Sequence, residues 1–278
     1  MNCVYCVLPV HNRLARLRTC IGYLKLQDYR RLAIVIVDDG STDGTSEYLS
    51  SLNQANLKVL RGNGTLWWSR AMSLGMKYVT HLAEDGDYLL MLNDDVRFDT
   101  GYVSALVQES RRNGAAVVGS VQRAETTGEH LGCGYEIDLV RMALRPILRD
   151  EGCDPDALPA RGVLFPIAVV RTIGFVRTRL LPHYLADCDY SARAKEYGFK
   201  LRICPAAVIY SDAASSDESV RKQGFIATYF HPRSKRNVIH RIIFFSVRGP
   251  LYLKLSALPR FILFGTRRHF HQSSARAR

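Results

Sequence analysis

The chain has 278 residues, of which 47% are hydrophobic, and its formal net charge is +12. This length and composition exclude a largely disordered chain and allow one large α/β domain or two small ones. Its seven cysteines are scattered and odd in number, which argues against a disulfide framework. Because no basic segment precedes the first apolar run, we expect no secretory signal and a cytoplasmic protein.

The positive charge is concentrated at the C-terminus. Residues 221–278 contain 13 Lys or Arg and no Asp or Glu, so residues 1–220 carry 25 basic and 26 acidic side chains. We therefore predict two regions, a near-neutral domain at 1–220 and a basic region at 221–278.

Apolar runs typical of buried strands alternate with helical patterns along most of the chain. The predicted strands are 4–10, 33–39, 57–62, 87–95, 115–121, 162–170 and 200–210. Apolar stripes at helical spacing lie between them and are predicted to face the core, at Leu14, Leu17, Ile21 and Leu24, and at Met72, Met76, Val79 and Leu82. This alternation predicts a mostly parallel sheet covered on both faces by helices, with an excursion from the sheet at 122–161.

Polar side chains come at the ends of two predicted strands. Asp38 and Asp39 end the second strand, and Asn93, Asp94 and Asp95 end the fourth. Ligands of parallel sheets bind beyond these carboxyl ends, where neighbouring carboxylates repel one another unless a cation or hydrogen-bond donors offset them. Mg²⁺ or Mn²⁺ suits such an oxygen-rich set. The loop "DDGSTDGT" by itself is also compatible with Asx turns and a helix cap.

Five segments, in this order, resemble the motifs of family 2 glycosyltransferases with the GT-A fold: "VLPVHNR", "IVIVDDGSTDGT", "RGNGTLWWSRAMSLGMKY", "LLMLNDDV" and "LADCDYSARAKEYGFKL". The resemblance covers residues 4–212 and implies that 1–220 form a GT-A catalytic domain with a Rossmann-like sheet. It implies an inverting, metal-dependent transfer of a hexose or deoxyhexose from a nucleoside-diphosphate sugar to a hydroxyl. The expected acceptor is a glycan, lipid-linked or not, in bacterial cell-surface polysaccharide synthesis of the rhamnosyltransferase kind.

The resemblance also implies residue roles. Asp39 would hydrogen-bond the nucleotide base, Asp94 would reach the ribose, Asp95 would hold the Mg²⁺ or Mn²⁺, and Asp187 would be the catalytic base. The other residues expected around the donor nucleotide are Pro9, Asn12, Arg13, Asp38, Asn63, Gly64, Trp67 and Asn93.

Several positions keep two interpretations. Trp67 or Trp68 offers a flat face to the donor, or packs under the rim of the sheet. Asp189 is predicted to cap the helix that follows it. The family's further metal ligand is a His that this chain lacks at the equivalent place, so Asp212 and the more distant His231 are the candidates.

The basic region mixes apolar runs with Lys and Arg, and none of its uncharged stretches approaches the ~20 residues that a membrane span needs. We predict short amphipathic pieces that bind an anionic membrane surface, which would place the protein at the inner face of the cytoplasmic membrane. The alternative is a basic tail that packs on the catalytic domain.

Two other functions agree with parts of the sequence. A nucleic-acid-binding protein would use the basic residues, but the acidic rim would repel nucleic acid, so we expect no such partner. A sugar nucleotidyltransferase shares a nucleotide-binding sheet and stays as the alternative, although its Gly-rich, Lys-bearing first loop is absent from "VLPVHNR".

Overall fold

The structure is a computed structural model. It describes residues 2–249 apart from 53, 150–153, 212–224, 233 and 235, together with 252, 253, 256 and 259. The candidate metal ligand Asp212 and most of the basic region after 249 lie outside the described residues.

The described strands are β1 (Val4–Val10), β2 (Leu32–Asp38), β3 (Leu57–Arg61), β4 (Tyr88–Met91), β5 (Arg97–Phe98), β6 (Val117–Ala124), β7 (His130–Gly132), β8 (Gly134–Asp138), β9 (Ala143–Ile147), β10 (Val163–Pro166) and β11 (Leu201–Ser211). The described helices are α1 (Leu14–Lys25), α2 (Thr45–Ser51), α3 (Trp67–Leu82), α4 (Tyr102–Arg112), α5 (Ile167–Ile173), α6 (Ala186–Glu196), α7 (Phe225–Phe230) and α8 (Val238–Ser246).

The main sheet has the strand order β3-β2-β1-β4-β10-β6-β11-β5, with β7 added to β6. Strands β3, β2, β1 and β4 pair in parallel, as do β6 and β11. Strand β10 runs antiparallel between β4 and β6, and β8 and β9 form a separate hairpin. The predicted mostly parallel α/β sheet is confirmed, and the excursion at 122–161 contains this hairpin.

Helices cover the sheet on both faces, and each face has its own core. Along β1, Cys6 and Leu8 point into the core that also holds Leu17 of α1, whereas Val7 points into the core that holds Met72 of α3. Alternation of side chains along a strand produces this division. The six cysteines in the described residues are thiols rather than disulfides.

The predicted strand at 162–170 is wrong in its second half, because α5 begins at Ile167. Apolar residues fill both elements, and a short apolar run does not distinguish a buried strand from a buried helix. Pro166 lies at the boundary, with a φ of −54° and an extended ψ of 139°. Leu82, which was predicted in the core, is 50% exposed at the end of α3.

Part of the basic region packs against the rest of the chain. Phe244 and Phe245 of α8 are buried in a third apolar cluster with Met142, Ala186 and Cys188. For α8, the alternative prediction that the basic region packs on the catalytic domain is therefore the correct one. None of the described helices has the length and apolar composition needed to cross a membrane.

Candidate active site

A cleft of about 570 Å³ lies at the carboxyl ends of β1, β2 and β4. The register of the sheet brings these ends together, since Val10 pairs with Asp38 and Val7 with Met91. Eight of the twelve predicted site residues line the cleft: Pro9, Arg13, Asp39, Trp67, Asn93, Asp94, Asp95 and Asp187. Residues predicted to bind the donor and the residue predicted to be the catalytic base thus line the same cleft.

Asp39 organises the loop that precedes α3. Its Oδ1 accepts the backbone N–H of Gly64 at 2.8 Å, and its Oδ2 accepts those of Leu66 and Trp67 at 2.9 and 3.0 Å. A Cβ atom on Gly62 would lie only 2.5 Å from the same carboxylate, so only glycine permits this close approach. The loop is therefore shaped around Asp39, which is 4% exposed.

Asp38 lies outside the cleft lining and is fully buried. Its Oδ2 accepts from Arg61 at 2.9 Å and from the Ser46 hydroxyl, and its Oδ1 accepts the Ser41 N–H at 3.1 Å. Asp38 therefore joins β3, α2 and the loop that precedes α2. It does not line the cleft, so the structure gives no contact that supports the donor-binding role predicted for it.

Three other predicted residues also lie outside the lining. Asn12 has a left-handed φ of 52°, and its Oδ1 accepts the Thr42 N–H at 2.7 Å. Asn63 accepts the N–H and hydroxyl of Thr65 at 3.1 and 2.7 Å. Gly64 has a φ of 87°. These residues set the conformation of the loops that border the cleft.

Asp94 and Asp95 meet a group of arginines. Arg13 donates to Asp94 Oδ1 at 3.0 Å, and Arg13, Arg16 and Arg161 lie 3.8, 3.8 and 4.0 Å from Asp95 Oδ2. Burial raises the pKa of Asp94 to about 6, with Arg13 opposing the shift and Asp95 adding to it. The acidic rim is thus neutralised in part by the chain's own cations.

The oxygens of this pair fit a divalent cation. Asp94 Oδ2 and Asp95 Oδ1 are buried and have no hydrogen-bond partner among the described residues. Hard cations take such oxygens and fill their other positions with water and phosphate. The described residues contain no group of three or more His, Cys, Asp and Glu that could hold a metal ion. Of the two candidates for a further ligand, His231 lines the cleft.

The paired tryptophans have different surroundings. Trp68 donates its Nε1–H to Asn93 Oδ1 at 3.0 Å and packs against two of the apolar clusters. Trp67 begins α3 with a left-handed φ of 56° and is packed against neither of those clusters. Both line the cleft. Trp68 is therefore held by a hydrogen bond and by apolar packing against two clusters.

Asp187 lies in the first turn of α6. Its Oδ2 accepts the backbone N–H of Ala160 at 3.0 Å, and its Oδ1 accepts that of Cys188 at 2.8 Å. Leu185, the residue just before the helix, has a left-handed φ of 68°. These contacts fix the carboxylate in the cavity that Asp95 lines.

The prediction that Asp189 caps the helix is wrong, because α6 already begins at Ala186. Asp189 is fully buried and pairs with Arg248 at 2.7 Å, and with Arg193 and Arg177 at 3.5 and 3.6 Å. The sequence does not reveal this ion pair, because the partner Arg248 is 59 residues away along the chain.

Sequence reasoning missed Gln122, Tyr135 and Arg161, which also line the cleft. Arg161 precedes β10, and β10 runs antiparallel to β4, so its start lies beside the end of β4. Gly162 secures this position, since its N–H donates to Met91 O at 3.1 Å and its φ is 82°. The only signal in the sequence was the predicted excursion at 122–161, which contains all three.

Comparison with known proteins now identifies the domain. The family model described as "Glycosyl transferase family 2" matches residues 5–140. This part of the chain is similar to family 2 glycosyltransferases. The matched segment includes the acids at 39, 94 and 95, whereas Asp187 lies beyond it.

Curated relatives of this glycosyltransferase domain come from Streptococcus pneumoniae serotype 4 (strain ATCC BAA-334 / TIGR4). "Glycosyltransferase GlyG" is 25% identical over 114 residues, which are 40% of this chain and 36% of that protein. "Glycosyltransferase GlyA" is 27% identical over 106 residues, 37% of this chain and 14% of that protein. The matches therefore span about a third or less of each relative.

Solved structures confirm the GT-A fold of the glycosyltransferase domain. GalNAc-T7, solved with UDP, GalNAc and Mn²⁺, superposes with a TM-score of 0.60 at 15% identity, over 77% of this chain and 44% of that one. The mannosyltransferase PcManGT from Pyrobaculum calidifontis, solved with GDP-Man and Mn²⁺, gives 0.60 at 12% identity, over 99% of this chain and 80% of that one.

Proposed function

We propose that the protein is an inverting glycosyltransferase that moves a hexose or deoxyhexose from a nucleoside-diphosphate sugar to a hydroxyl of a glycan or lipid-linked acceptor. One observation carries the proposal: Asp39, Asp94 and Asp95, which lie in the segment that matches family 2, line a single cleft together with Asp187. GalNAc-T7 and PcManGT were solved with UDP and GDP-Man respectively, which supports a nucleotide-sugar donor here.

The nucleoside would lie between β1, β2 and the loop at 62–67. Pro9 and Trp67 line this part of the cleft, and Asp39 closes it. The carboxylate of Asp39 already accepts three backbone N–H groups, which hold it rigid and leave part of its acceptor capacity for a base N–H. Its role would combine shaping the loop with reading the base.

The diphosphate would lie beside Asp94 and Asp95. Asp95, with the unpartnered oxygen of Asp94 beside it, would hold Mg²⁺ or Mn²⁺. When bound, the cation would neutralise charge on the departing diphosphate. Arg13 would keep Asp94 oriented through the 3.0 Å contact. The Asp94 carboxylate would also remain within reach of the ribose hydroxyls.

Asp187 would be the catalytic base. Its carboxylate takes the proton of the acceptor hydroxyl, and the hydroxyl oxygen bonds to the anomeric carbon as the bond from that carbon to the diphosphate oxygen breaks. The electron pair of that bond leaves with the nucleoside diphosphate. The N–H of Ala160, 3.0 Å from Oδ2, orients the base. A single displacement of this kind inverts the anomeric carbon.

A panel of nucleotide sugars tests the proposal. We expect one or more of the UDP-, GDP- and dTDP-sugars to raise the thermal midpoint, with a larger rise when Mn²⁺ is present, and to be consumed with release of the nucleoside diphosphate. NMR of the product would report the opposite anomeric configuration from the donor. Release of pyrophosphate from a nucleoside triphosphate and a sugar phosphate would instead support the sugar nucleotidyltransferase alternative.

We also propose that the basic region binds an anionic membrane surface at the inner face of the cytoplasmic membrane, where a lipid-linked acceptor would be presented. Exposed apolar side chains near its start support this, since Ile239, Val247 and Tyr252 are 52%, 38% and 68% exposed. These three side chains lie within the segment 221–278, which contains 13 basic residues. Lipid headgroups would attract these at roughly 1 kcal/mol per basic residue near the surface.

Vesicle flotation tests the membrane proposal. The full chain should float with vesicles that contain phosphatidylglycerol and stay behind with pure phosphatidylcholine, and the triple variant Ile239→Ser, Val247→Ser, Tyr252→Ser should float less. Equal flotation with both vesicle types would contradict the proposal.

A further inference from the structure

Arg161 lies between the two acids to which the proposed function gives separate roles. The N–H of Ala160, the preceding residue, is 3.0 Å from Asp187 Oδ2, and the guanidinium of Arg161 is 4.0 Å from Asp95 Oδ2. The following residue is fixed to the end of β4 through the Gly162 N–H. A loop that is held on both sides of Arg161 thus brings a cation to the wall of the cleft.

The guanidinium of Arg161 is available to a ligand. Its distance from Asp95 exceeds that of a hydrogen bond, and it makes no hydrogen bond to any other residue that the structure describes. The side chain is 28% exposed and lines the cleft. By contrast, Arg13 is already engaged by Asp94 at 3.0 Å. Arg161 therefore keeps its full set of donors for an incoming anion.

The charges around Asp95 favour an anion as that ligand. Three guanidiniums and two carboxylates leave an excess of one positive charge. A guanidinium stays charged at any physiological pH and binds phosphate oxygens through two parallel N–H bonds. Nucleoside diphosphates carry such oxygens, and their negative charge increases when the sugar departs. Arg161 is thus suited to the departing group.

We propose that Arg161 is a direct ligand of the donor diphosphate, reaching it by turning from Asp95 to a phosphate oxygen. This inference rests on the proposed function and adds to it a cation that belongs to the chain itself. It implies that the chain discriminates diphosphates from monophosphates even without a divalent cation.

Arg16 provides a matched control. Its guanidinium lies 3.8 Å from the same Asp95 oxygen, but the side chain is outside the cleft lining. Removal of Arg16 takes away a positive charge at a similar distance from Asp95, without removing a donor from the cleft. The two variants therefore separate a direct contact from a field effect.

Nucleotide binding by calorimetry, in EDTA and again with Mn²⁺, tests the inference. The probes are UDP, GDP and dTDP, each compared with its monophosphate. In EDTA, we expect Arg161→Ala to weaken diphosphate binding by about tenfold to a hundredfold, Arg161→Lys by less, and Arg16→Ala by under about threefold. Monophosphate binding should stay within about threefold of wild type in all three variants. Arg161→Gln, which keeps a polar side chain but removes the positive charge, replaces the alanine variant if that variant unfolds at a lower temperature.

Two results would overturn the inference alone: diphosphate binding in EDTA that is unchanged by Arg161→Ala, or an equal loss in Arg16→Ala. A wild-type chain that binds no nucleotide, with Mn²⁺ or without, would overturn the proposed function together with it. The two failures are therefore distinguishable.

Discussion

Arg248 donates to Asp189 Oδ1 at 2.7 Å, and the two side chains are only 5% and 1% exposed. Asp189 lies in the helical turn that carries Asp187, and Arg248 follows α8 in the basic region. A second bond, from Arg248 to the Asp189 carbonyl at 3.1 Å, completes the contact. The basic region is thereby tied to the turn that positions the proposed base.

We predict that Arg248→Met destabilises the protein by about 3 kcal/mol or more, because it leaves the carboxylate of Asp189 buried without its nearest cation. Urea unfolding at pH 7.5 measures this change. The double variant Asp189→Asn, Arg248→Met should recover part of the loss, since the carboxylate that lost its nearest cation is then replaced by a neutral amide. The recovery is only partial because the buried Arg193 also loses its charged partner. A single variant as stable as wild type would show that the ion pair does not hold the two segments together.

The raised pKa of Asp94 predicts a pH-dependent stability. Burial holds this pKa at about 6 in the folded chain, above its ordinary value of 3.8. The unfolded chain therefore ionises first as the pH rises, and folding stability falls through the interval up to the folded pKa. Wild-type stability should consequently be lower at pH 7.5 than at pH 4.5 on account of this group.

The variant Asp94→Asn removes the ionisation while keeping an acceptor for Arg13. We expect it to be more stable than wild type in EDTA by at most about 3 kcal/mol at pH 7.5, and by only about 1 kcal/mol at pH 4.5. Urea unfolding at the two pH values measures the difference. A variant that is less stable than wild type at pH 7.5 would mean that the Arg13 pair outweighs the burial of charge.

The rule that ligands bind beyond the carboxyl ends of parallel strands predicted much of the cleft from the sequence. It found Asp39, Asp94 and Asp95, which the structure brings to one edge. It failed for Arg161, because β10 is antiparallel and presents its first residues, not its last, at that edge. No local pattern in "ARGVLFP" reveals the direction of the strand that follows.

The adjacent pair Asp38 and Asp39 shows a second limit of the sequence. Both follow the same apolar run, yet the first is turned toward Arg61 and the second toward the cleft. Successive side chains of a strand point to opposite faces, so one of the two had to face away. Which one does so depends on the register with β1, and that register is a tertiary property.

The base assignment predicts a selective loss of turnover. Asp187→Asn should lower the transfer rate about 10²- to 10⁴-fold while donor affinity stays near that of wild type. Steady-state kinetics and donor binding by calorimetry measure the two quantities separately. Asp85→Asn, which changes a carboxylate that is 95% exposed, is the control and should keep wild-type activity. Full activity in Asp187→Asn would refute the assignment.

The two tryptophans predict opposite outcomes when each is truncated. Trp67 lines the cleft without packing against either cluster that holds Trp68, so Trp67→Ala should weaken nucleotide binding by about 1–3 kcal/mol, the value typical of a base stacked on an aromatic ring. Its thermal midpoint should change little. Trp68→Phe loses the donor to Asn93 Oδ1, so it should instead lower stability by about 1 kcal/mol.

Calorimetry with the nucleotide selected by the donor panel, combined with urea unfolding of both variants, separates the two effects. Because Trp67 begins α3 with a left-handed φ, Trp67→Gly serves as a second variant that relieves the backbone strain that alanine would keep. If both Trp67 variants lost stability and retained wild-type affinity, the indole would be a packing group and the donor would stack elsewhere in the cleft.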